Sequence, residues 1–281
     1  MPLPFMLVDV FGQDSFSGNP LAVIAQADDL DSDAMQQIAR WLNLSETAYL
    51  VRPTDARADY RVRIFTLERE LPFAGHPTLG SCHAWLANGG RPRDAALIVQ
   101  QCGVGLVDVR RDNDRLAFAA PPLIRSGPVD ESKIIEIAAI LQIERGMIVD
   151  ANWVDNGPGW VAVMLASAAA VLALEPVRHH PERIDLGVVG PHPSGSEAAF
   201  EIRALFSDHH GNLVEDPVTG SLNASVAEWL FSTGRADQAF VAAQGTRVGR
   251  TGRVSIDRDD KGQIWVGGQT RTMFSGTTGD W

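Results

Sequence analysis

Three short segments carry residue types suited to moving a proton on an anion. Glu46 stands in Ser45-Glu46-Thr47, at the mouth of the apolar run Ala48-Tyr49-Leu50-Val51. Gly75-His76-Pro77 forms the second segment and Asp216-Pro217-Val218-Thr219-Gly220-Ser221 the third. A carboxylate at the edge of an apolar strand is open to desolvation, which raises its pKa towards the range useful in acid–base work. A histidine followed by proline suits the first turn of a helix, where the imidazole is biased towards its neutral form and can accept or relay a proton. Asp216 could hydrogen-bond a substrate amine or hydroxyl, and the N–H groups of Gly220 and Ser221 could hold a carboxylate at a helix start. Each residue also has a plain reading: a solvated junction acid for Glu46, a capping or core imidazole for His76, an N-cap for Asp216. For Glu46 the plain reading is the stronger on local sequence alone.

The elements that must hold these residues are mostly short strands. Tyr60-Arg61-Val62-Arg63-Ile64 alternates cleanly, and Ala96 to Gln100, Leu106 to Arg110 and Leu116 to Ala119 follow at hairpin-like spacing. Further strands are predicted at Ile148 to Val154, Trp160 to Met164, Glu201 to Phe206, Phe240 to Ala243, Arg253 to Asp257 and Ile264 to Gly268. Asp31-Ser32-Asp33 ahead of Met35, Ile38, Ala39 and Leu42 predicts a helix, and Ser132 is expected to cap another carrying Ile135, Ala138, Ala139 and Leu141. Two more helices run from about Pro77 to Asn88 and from about Thr219 to Ser232, ending near Gly89-Gly90 and Gly234. Both are apolar along much of their length, and a curved sheet wrapped around each would bury them. With 281 residues, two domains of about 140 residues are expected, with the boundary in the seam Arg111 to Pro122.

Composition excludes several classes of function. At 45% hydrophobic and 21% charged the chain is an ordinary globular protein. A net charge of −11 leaves no excess of cations for phosphates, so no nucleic-acid partner is expected, and an anionic substrate must be attracted locally by helix ends. Two cysteines, Cys82 and Cys102, are not a disulfide framework, and a reduced cytoplasmic setting is the default. The N-terminus lacks a basic n-region and reads as a first strand; the longest apolar stretch, Val161 to Leu174, is too short to span a bilayer and reads as strand then core helix, so no membrane partner is expected. His179-His180 and His209-His210 are adjacent pairs without metal-ligand spacing, so no metal is expected. Gly103-Val104-Gly105 opens a strand and is not a dinucleotide loop. The seven tryptophans are scattered and read as packing residues.

In order along the chain, the stretches Val8-Asp9-Val10-Phe11, Gly18-Asn19-Pro20, Leu44-Ser45-Glu46-Thr47, Arg63-Ile64-Phe65-Thr66, Glu70-Leu71-Pro72-Phe73-Ala74-Gly75-His76-Pro77, Asn156-Gly157-Pro158, Glu215-Asp216-Pro217-Val218-Thr219-Gly220-Ser221 and Gln244-Gly245 resemble the PhzF family of phenazine-biosynthesis-like proteins. The resemblance implies an α+β, diaminopimelate-epimerase-like fold of two similar domains, each a mostly antiparallel barrel-like sheet around a central helix. It places an N-terminal barrel at 1–120, joined by a C-terminal strand at 270–281, a second barrel at 121–269, and the active site in the cleft between them. It further implies a cofactor-free isomerase, usually a homodimer, acting on a small cyclic or aromatic-like carboxylate. Glu46 would be the acid/base, His76 and Asp216 its polar catalytic partners, and Ser45, Gly75, Gly220 and Ser221 the substrate-binding residues.

Cofactor-independent racemases and epimerases of the wider superfamily carry a cysteine on each side of the substrate. Here those neighbourhoods read Ala74-Gly75-His76 and Asp216-Pro217-Val218, without a thiol. Two-thiol epimerisation is therefore the lesser alternative, together with a non-catalytic binding or scaffold protein that keeps the fold. The best-known family reaction isomerises trans-2,3-dihydro-3-hydroxyanthranilate, and the sequence does not fix whether this chain does the same.

Overall fold

A computed structural model describes residues 2–112, 115–208 and 210–280; His209, positions 113 and 114 of the seam and the two end positions lie outside them. The chain forms two compact units. Unit 2 is Ala120–Trp265, and unit 1 is the chain on either side of it. The elements up to Ala119 are β1 (Pro4–Val10), β2 (Asn19–Ile24), α1 (Ser32–Leu42), β3 (Thr47–Val51), β4 (Tyr60–Phe65), β5 (Glu70–Leu71), α2 (Gly75–Ala87), β6 (Leu97–Cys102), β7 (Gly105–Asp112) and β8 (Arg115–Ala119). Unit 2 contributes β9 (Arg125–Pro128), α3 (Glu131–Leu141), β10 (Ile148–Asp155), β11 (Val161–Leu165), α4 (Ala168–Leu172), β12 (Asp185–Pro191) and β13 (Phe200–Ser207). It continues with β14 (Leu213–Asp216), α5 (Gly220–Ser232), β15 (Phe240–Gln244) and β16 (Gly252–Arg258). The last strand, β17 (Ile264–Thr277), starts in unit 2 and runs on in unit 1. The fold is α+β.

In unit 1, β1 pairs antiparallel with β2, β2 runs parallel to β3, and β3 pairs antiparallel with β4. Parallel β4–β6 and antiparallel β6–β7–β8 follow, and β17 joins β8 to β1, closing an eight-stranded barrel. A closed sheet has no edge left to pair with another chain. Helix α2 packs inside it against β1, β2, β3, β4, β6 and β8. Its sequence shows no single apolar stripe, which fits a helix surrounded by sheet: Leu79, Cys82 and Ala84 are all fully buried. Gly80 allows the closest approach, since a Cβ there would lie 2.5 Å from Leu21 Cδ2. Outside the barrel, α1 seats Met35 and Ala39 on Ile24, Tyr49 and Phe65. Asp31 caps it, accepting from the Ala34 N–H at 2.8 Å. Between β1 and β2, the buried Asp9 carboxylate accepts from the N–H groups of Gly18 (2.8 Å) and Ser17 (3.0 Å). This explains the paired appearance of Asp9 and Gly18 in the sequence, because a Cβ at Gly18 would fall 2.1 Å from the Val10 carbonyl.

Unit 2 builds antiparallel β9–β10–β11, parallel β11–β12, antiparallel β12–β13, parallel β13–β15 and antiparallel β15–β16. Strand periodicity sorts its two faces. Val161, Val163 and Leu165 of β11 and Leu186 and Val188 of β12 join Ile137, Ala138 and Leu141 of α3 in one core. Gly187, between Leu186 and Val188, faces α5 instead, and a Cβ there would lie 2.7 Å from Leu222 Cδ1. Helix α3 starts earlier than the sequence suggests. Its N-cap is Asp130, and Ser132 lies inside the first turn, because the Asp130 carbonyl already accepts from Lys133 and Ile134 as soon as β9 ends. No helix among the described residues is long and apolar enough to cross a membrane.

Candidate active site

In unit 1 the junction between α1 and β3 and the start of α2 come together. Glu46 immediately precedes β3 with its side chain 17% exposed, and its Oε2 lies 3.6 Å from Nε2 of His76, the second residue of α2. His76 is 4% exposed, and burial pushes its pKa down to about 3. The positive end of the helix dipole acts in the same direction. The imidazole is therefore neutral at ordinary pH, and the contact is not an ion pair. At 3.6 Å it is also longer than a hydrogen bond. Among the described residues, His76 Nε2 is buried without a hydrogen-bond partner, as is Oγ1 of the neighbouring Thr47. Native structures rarely leave such atoms unsatisfied away from functional sites. Helix α2 has no side-chain cap, so the N–H groups of Gly75 and His76 are uncapped by the protein's own side chains. Ser45 is exposed beside Glu46.

In unit 2, Asp216 ends β14 and Gly220 opens α5, again without a side-chain cap. Asp216 Oδ2 accepts from the Thr219 hydroxyl at 2.5 Å, but Asp216 is not the N-cap its plain reading anticipated: the N-cap of α5 is Thr219. The helix start is braced from several sides. Fully buried Gln244 accepts the Thr219 N–H (3.1 Å) through Oε1 and donates through Nε2 to Thr219 Oγ1 (3.0 Å). Asn156 Nδ2 donates to the Ser221 carbonyl at 3.0 Å, and the Trp160 indole N–H donates to Ser221 Oγ at 3.2 Å. The Ser221 hydroxyl thus receives one bond from the protein and keeps its own proton to give. Gln244, Asn156, Asn223 and Trp160 have no role in a reading of local sequence. The signal available was the presence of Asn156-Gly157-Pro158 and Gln244-Gly245 among the family-like stretches.

The thiols lie apart from this chemistry. Cys82 is buried within α2, and burial pushes its pKa up to about 12; Cys102, at the end of β6, is buried and raised for the same reason. Both are held as thiols, the unreactive form. The ligand atoms of Glu136, His180 and Glu182 lie within 4.8 Å of one another, a cluster invisible in the sequence. Glu136 Oε1 there already accepts from Lys133 Nζ at 2.7 Å and lies 3.1 Å from His180 Nε2, so the cluster is internally paired. An open hollow of about 340 Å³ lined by Glu228, Phe231, Arg258 and Asp260 lies at the far end of α5, about 16 Å along the helix from Gly220. It holds none of the residues described above.

Residues 8–276 match the family model described as phenazine biosynthesis-like protein. The chain is 35% identical over 301 residues to antisense-enhancing sequence 1 of Schizosaccharomyces pombe, with 97% of each chain covered. It is 31% identical over 263 residues to the trans-2,3-dihydro-3-hydroxyanthranilate isomerase of Pseudomonas aeruginosa, covering 92% of this chain and 91% of that one. The crystal structure of a PhzF-family phenazine biosynthesis protein from Enterococcus faecalis superposes with a TM-score of 0.79 over the whole of both chains at 24% identity, a likeness of fold. The match across nearly all of the chain and the identity shared with curated relatives settle its membership: the chain belongs to the phenazine biosynthesis-like protein family and is an isomerase of that family.

Proposed function

We propose that this isomerase moves a proton between two carbons of a small cyclic or aromatic-like carboxylate, without a cofactor, and that Glu46 carries the proton. The observation behind this reading is the Glu46 carboxylate set 3.6 Å from a buried, neutral His76 at an uncapped helix start. Ionised, Glu46 takes a proton from carbon, the electron pair shifts through the unsaturated ring, and the carboxyl group, its proton exchanged with solvent, protonates a second carbon. Substrate and product then have the same composition. Neutral His76 donates or accepts one hydrogen bond beside the reacting carbons without neutralising the base. Gly220 and Ser221 offer backbone N–H groups to the substrate carboxylate, and Asp216 orients the loop that presents them.

Among cyclic carboxylates, trans-2,3-dihydro-3-hydroxyanthranilate is the first to test, being the substrate named for the Pseudomonas aeruginosa relative. In D₂O, the wild type is expected to convert it to an isomer carrying solvent deuterium at the newly saturated carbon, with no metal or nucleotide added. Glu46→Gln, which keeps size and polarity but not basicity, is expected to lower turnover by at least ~10²-fold. Conversion at the wild-type rate by that variant would reject the shuttle. Failure of the wild type to turn over this compound, with turnover of another ring carboxylate, would move the substrate and leave the mechanism standing. The protein is further proposed to be a homodimer, for which light scattering is the direct measurement.

A further inference from the structure

Both central helices begin with the same wiring. In α2 the carbonyl of the N-cap residue Ala74 accepts twice from one residue a turn later, from the Thr78 N–H (3.2 Å) and from Thr78 Oγ1 (2.9 Å). In α5 the carbonyl of the N-cap residue Thr219 accepts from the Asn223 N–H (3.0 Å) and from Asn223 Nδ2 (2.9 Å). In each unit that side chain is held by a fully buried glutamine on a strand. Gln100 of β6 donates to Thr78 Oγ1 at 3.0 Å, and Gln244 of β15 accepts from Asn223 Nδ2 at 2.7 Å. β6 runs parallel to β4 and β15 parallel to β13, so the two glutamines occupy matching places in the connectivity. Gln100 is fixed from behind by the Tyr60 hydroxyl at 2.9 Å, and Gln244 by its own bonds to Thr219 Oγ1 and the Asp216 carbonyl.

Capping does not account for this arrangement. Neither helix start has a side-chain cap, and each N-cap carbonyl already has its intrahelical bond from the backbone. A buried polar side chain is favourable only when fully paired, so apolar residues would fill the same space at less desolvation cost. The peptide whose carbonyl is doubly bonded is Ala74–Gly75 in one unit and Thr219–Gly220 in the other. Its N–H belongs to the first helical glycine. A hydrogen bond accepted at an amide oxygen draws electrons from nitrogen and makes the N–H a better donor, and bonds in series reinforce one another. In unit 1 the series has one direction throughout: Tyr60 O–H to Gln100 carbonyl, Gln100 N–H to Thr78 oxygen, Thr78 O–H to Ala74 carbonyl. It ends beside His76, whose buried Nε2 lacks a hydrogen-bond partner among the described residues.

We infer that Gln100 and Gln244 are positioning residues: Gln100, through Thr78, orients and polarises the Gly75 N–H, and Gln244, through Asn223, orients the Gly220 N–H, each as an anion donor of its own unit. The identity of the anion rests on the proposed function; the polarisation does not, and the experiment separates the two. Backbone amide signals of Gly75 and Gly220 are recorded by ¹H–¹⁵N NMR in unliganded wild type, Gln100→Leu, Gln244→Leu and the near-isosteric Thr78→Val, the last chosen to fold even if a glutamine variant does not. The Gly75 proton is expected to move upfield in Gln100→Leu and Thr78→Val, and the Gly220 signal to shift in Gln244→Leu, each with the other glycine unmoved. Anthranilate, used as the ring-carboxylate probe, is expected to bind roughly fivefold more weakly to each variant. Unmoved glycine signals in the folded variants would overturn the inference, and so would equal movement of both glycines in every variant, the mark of general loosening. If wild type ignored anthranilate while its glycine signals still answered to the glutamines, the wiring would stand and the assigned ligand would fall.

Discussion

At the scale of single residues, the decisive pair is an acid facing an imidazole that stays neutral. A protonated histidine would lock Glu46 into an ion pair and weaken it in the base role proposed for it. Burial removes that option, because a pKa lowered to about 3 leaves His76 uncharged at ordinary pH. The same burial has a consequence for stability. In the unfolded chain His76 titrates near its ordinary value of 6.5, so below that pH the unfolded state binds a proton that the folded state refuses. The stability contributed by neutral burial is thus complete above about pH 6.5 and erodes as pH falls towards about 3. Urea unfolding at pH 7 and pH 5 is expected to show wild type losing on the order of 2 kcal/mol more than His76→Gln between the two. Equal losses would mean that His76 titrates normally. Ser221 offers a second test: Ser221→Ala keeps the backbone donor and should retain most anthranilate binding, whereas Ser221→Pro fits a first helical turn but deletes the N–H and should abolish it. Equal effects in two folded variants would show that the backbone is not the ligand contact. Each of these residues was legible in the sequence as a type suited to its proposed role. Their juxtaposition was not, since Glu46 meets His76 only after β3, β4 and β5 have passed between them in the chain.

At the scale of elements, the segment leading into α5 is held by two devices that the sequence hides. The Arg203 guanidinium and Glu215 carboxylate form a buried pair at 2.7 Å, with Arg203 also donating to the carbonyls of Val171 and Leu174 at the end of α4. Glu215 directly precedes Asp216. Glu215→Gln would leave a buried guanidinium uncompensated and is expected to cost about 3–5 kcal/mol in urea unfolding. A loss near zero would show that the pair is solvated. Gly245 has φ of +91°, and a Cβ there would lie 2.5 Å from the Pro217 carbonyl oxygen. Gly245→Ala should therefore destabilise by at least about 1–3 kcal/mol and weaken anthranilate binding, by pushing back the strand-to-helix turn. Helices α2 and α5 were readable because proline, glycine and small residues mark their ends and apolar residues fill them. β12 was not, since Leu186-Gly187-Val188-Val189-Gly190 is buried on both faces and shows no alternation. Gln100 and Gln244 escaped for a related reason: glutamine in a strand normally reads as a solvent-facing residue, and only tertiary packing reveals it as buried.

At the scale of the whole molecule, unit 1 is complete only with the returning strand. β17 supplies the neighbour of both β1 and β8, with Pro4 opposite Thr277 and Val10 opposite Thr270. A chain ending at Trp265 would present two long open edges around an exposed apolar helix, and it is expected to be recovered mainly as aggregate. A soluble truncated chain with the native melting transition would show that closure is dispensable. The same closure sets an order of events during synthesis. Chains emerge at roughly 5–20 residues per second, and domains generally fold as soon as their residues are free. β1 leaves the ribosome well before β17, the partner it waits for, whereas the intervening unit has all its own residues earlier. Unit 1 is therefore begun before unit 2 and finished after it. On a stalled ribosome displaying residues up to Trp265, a protease should find the amino-terminal residues open and the second unit already resistant.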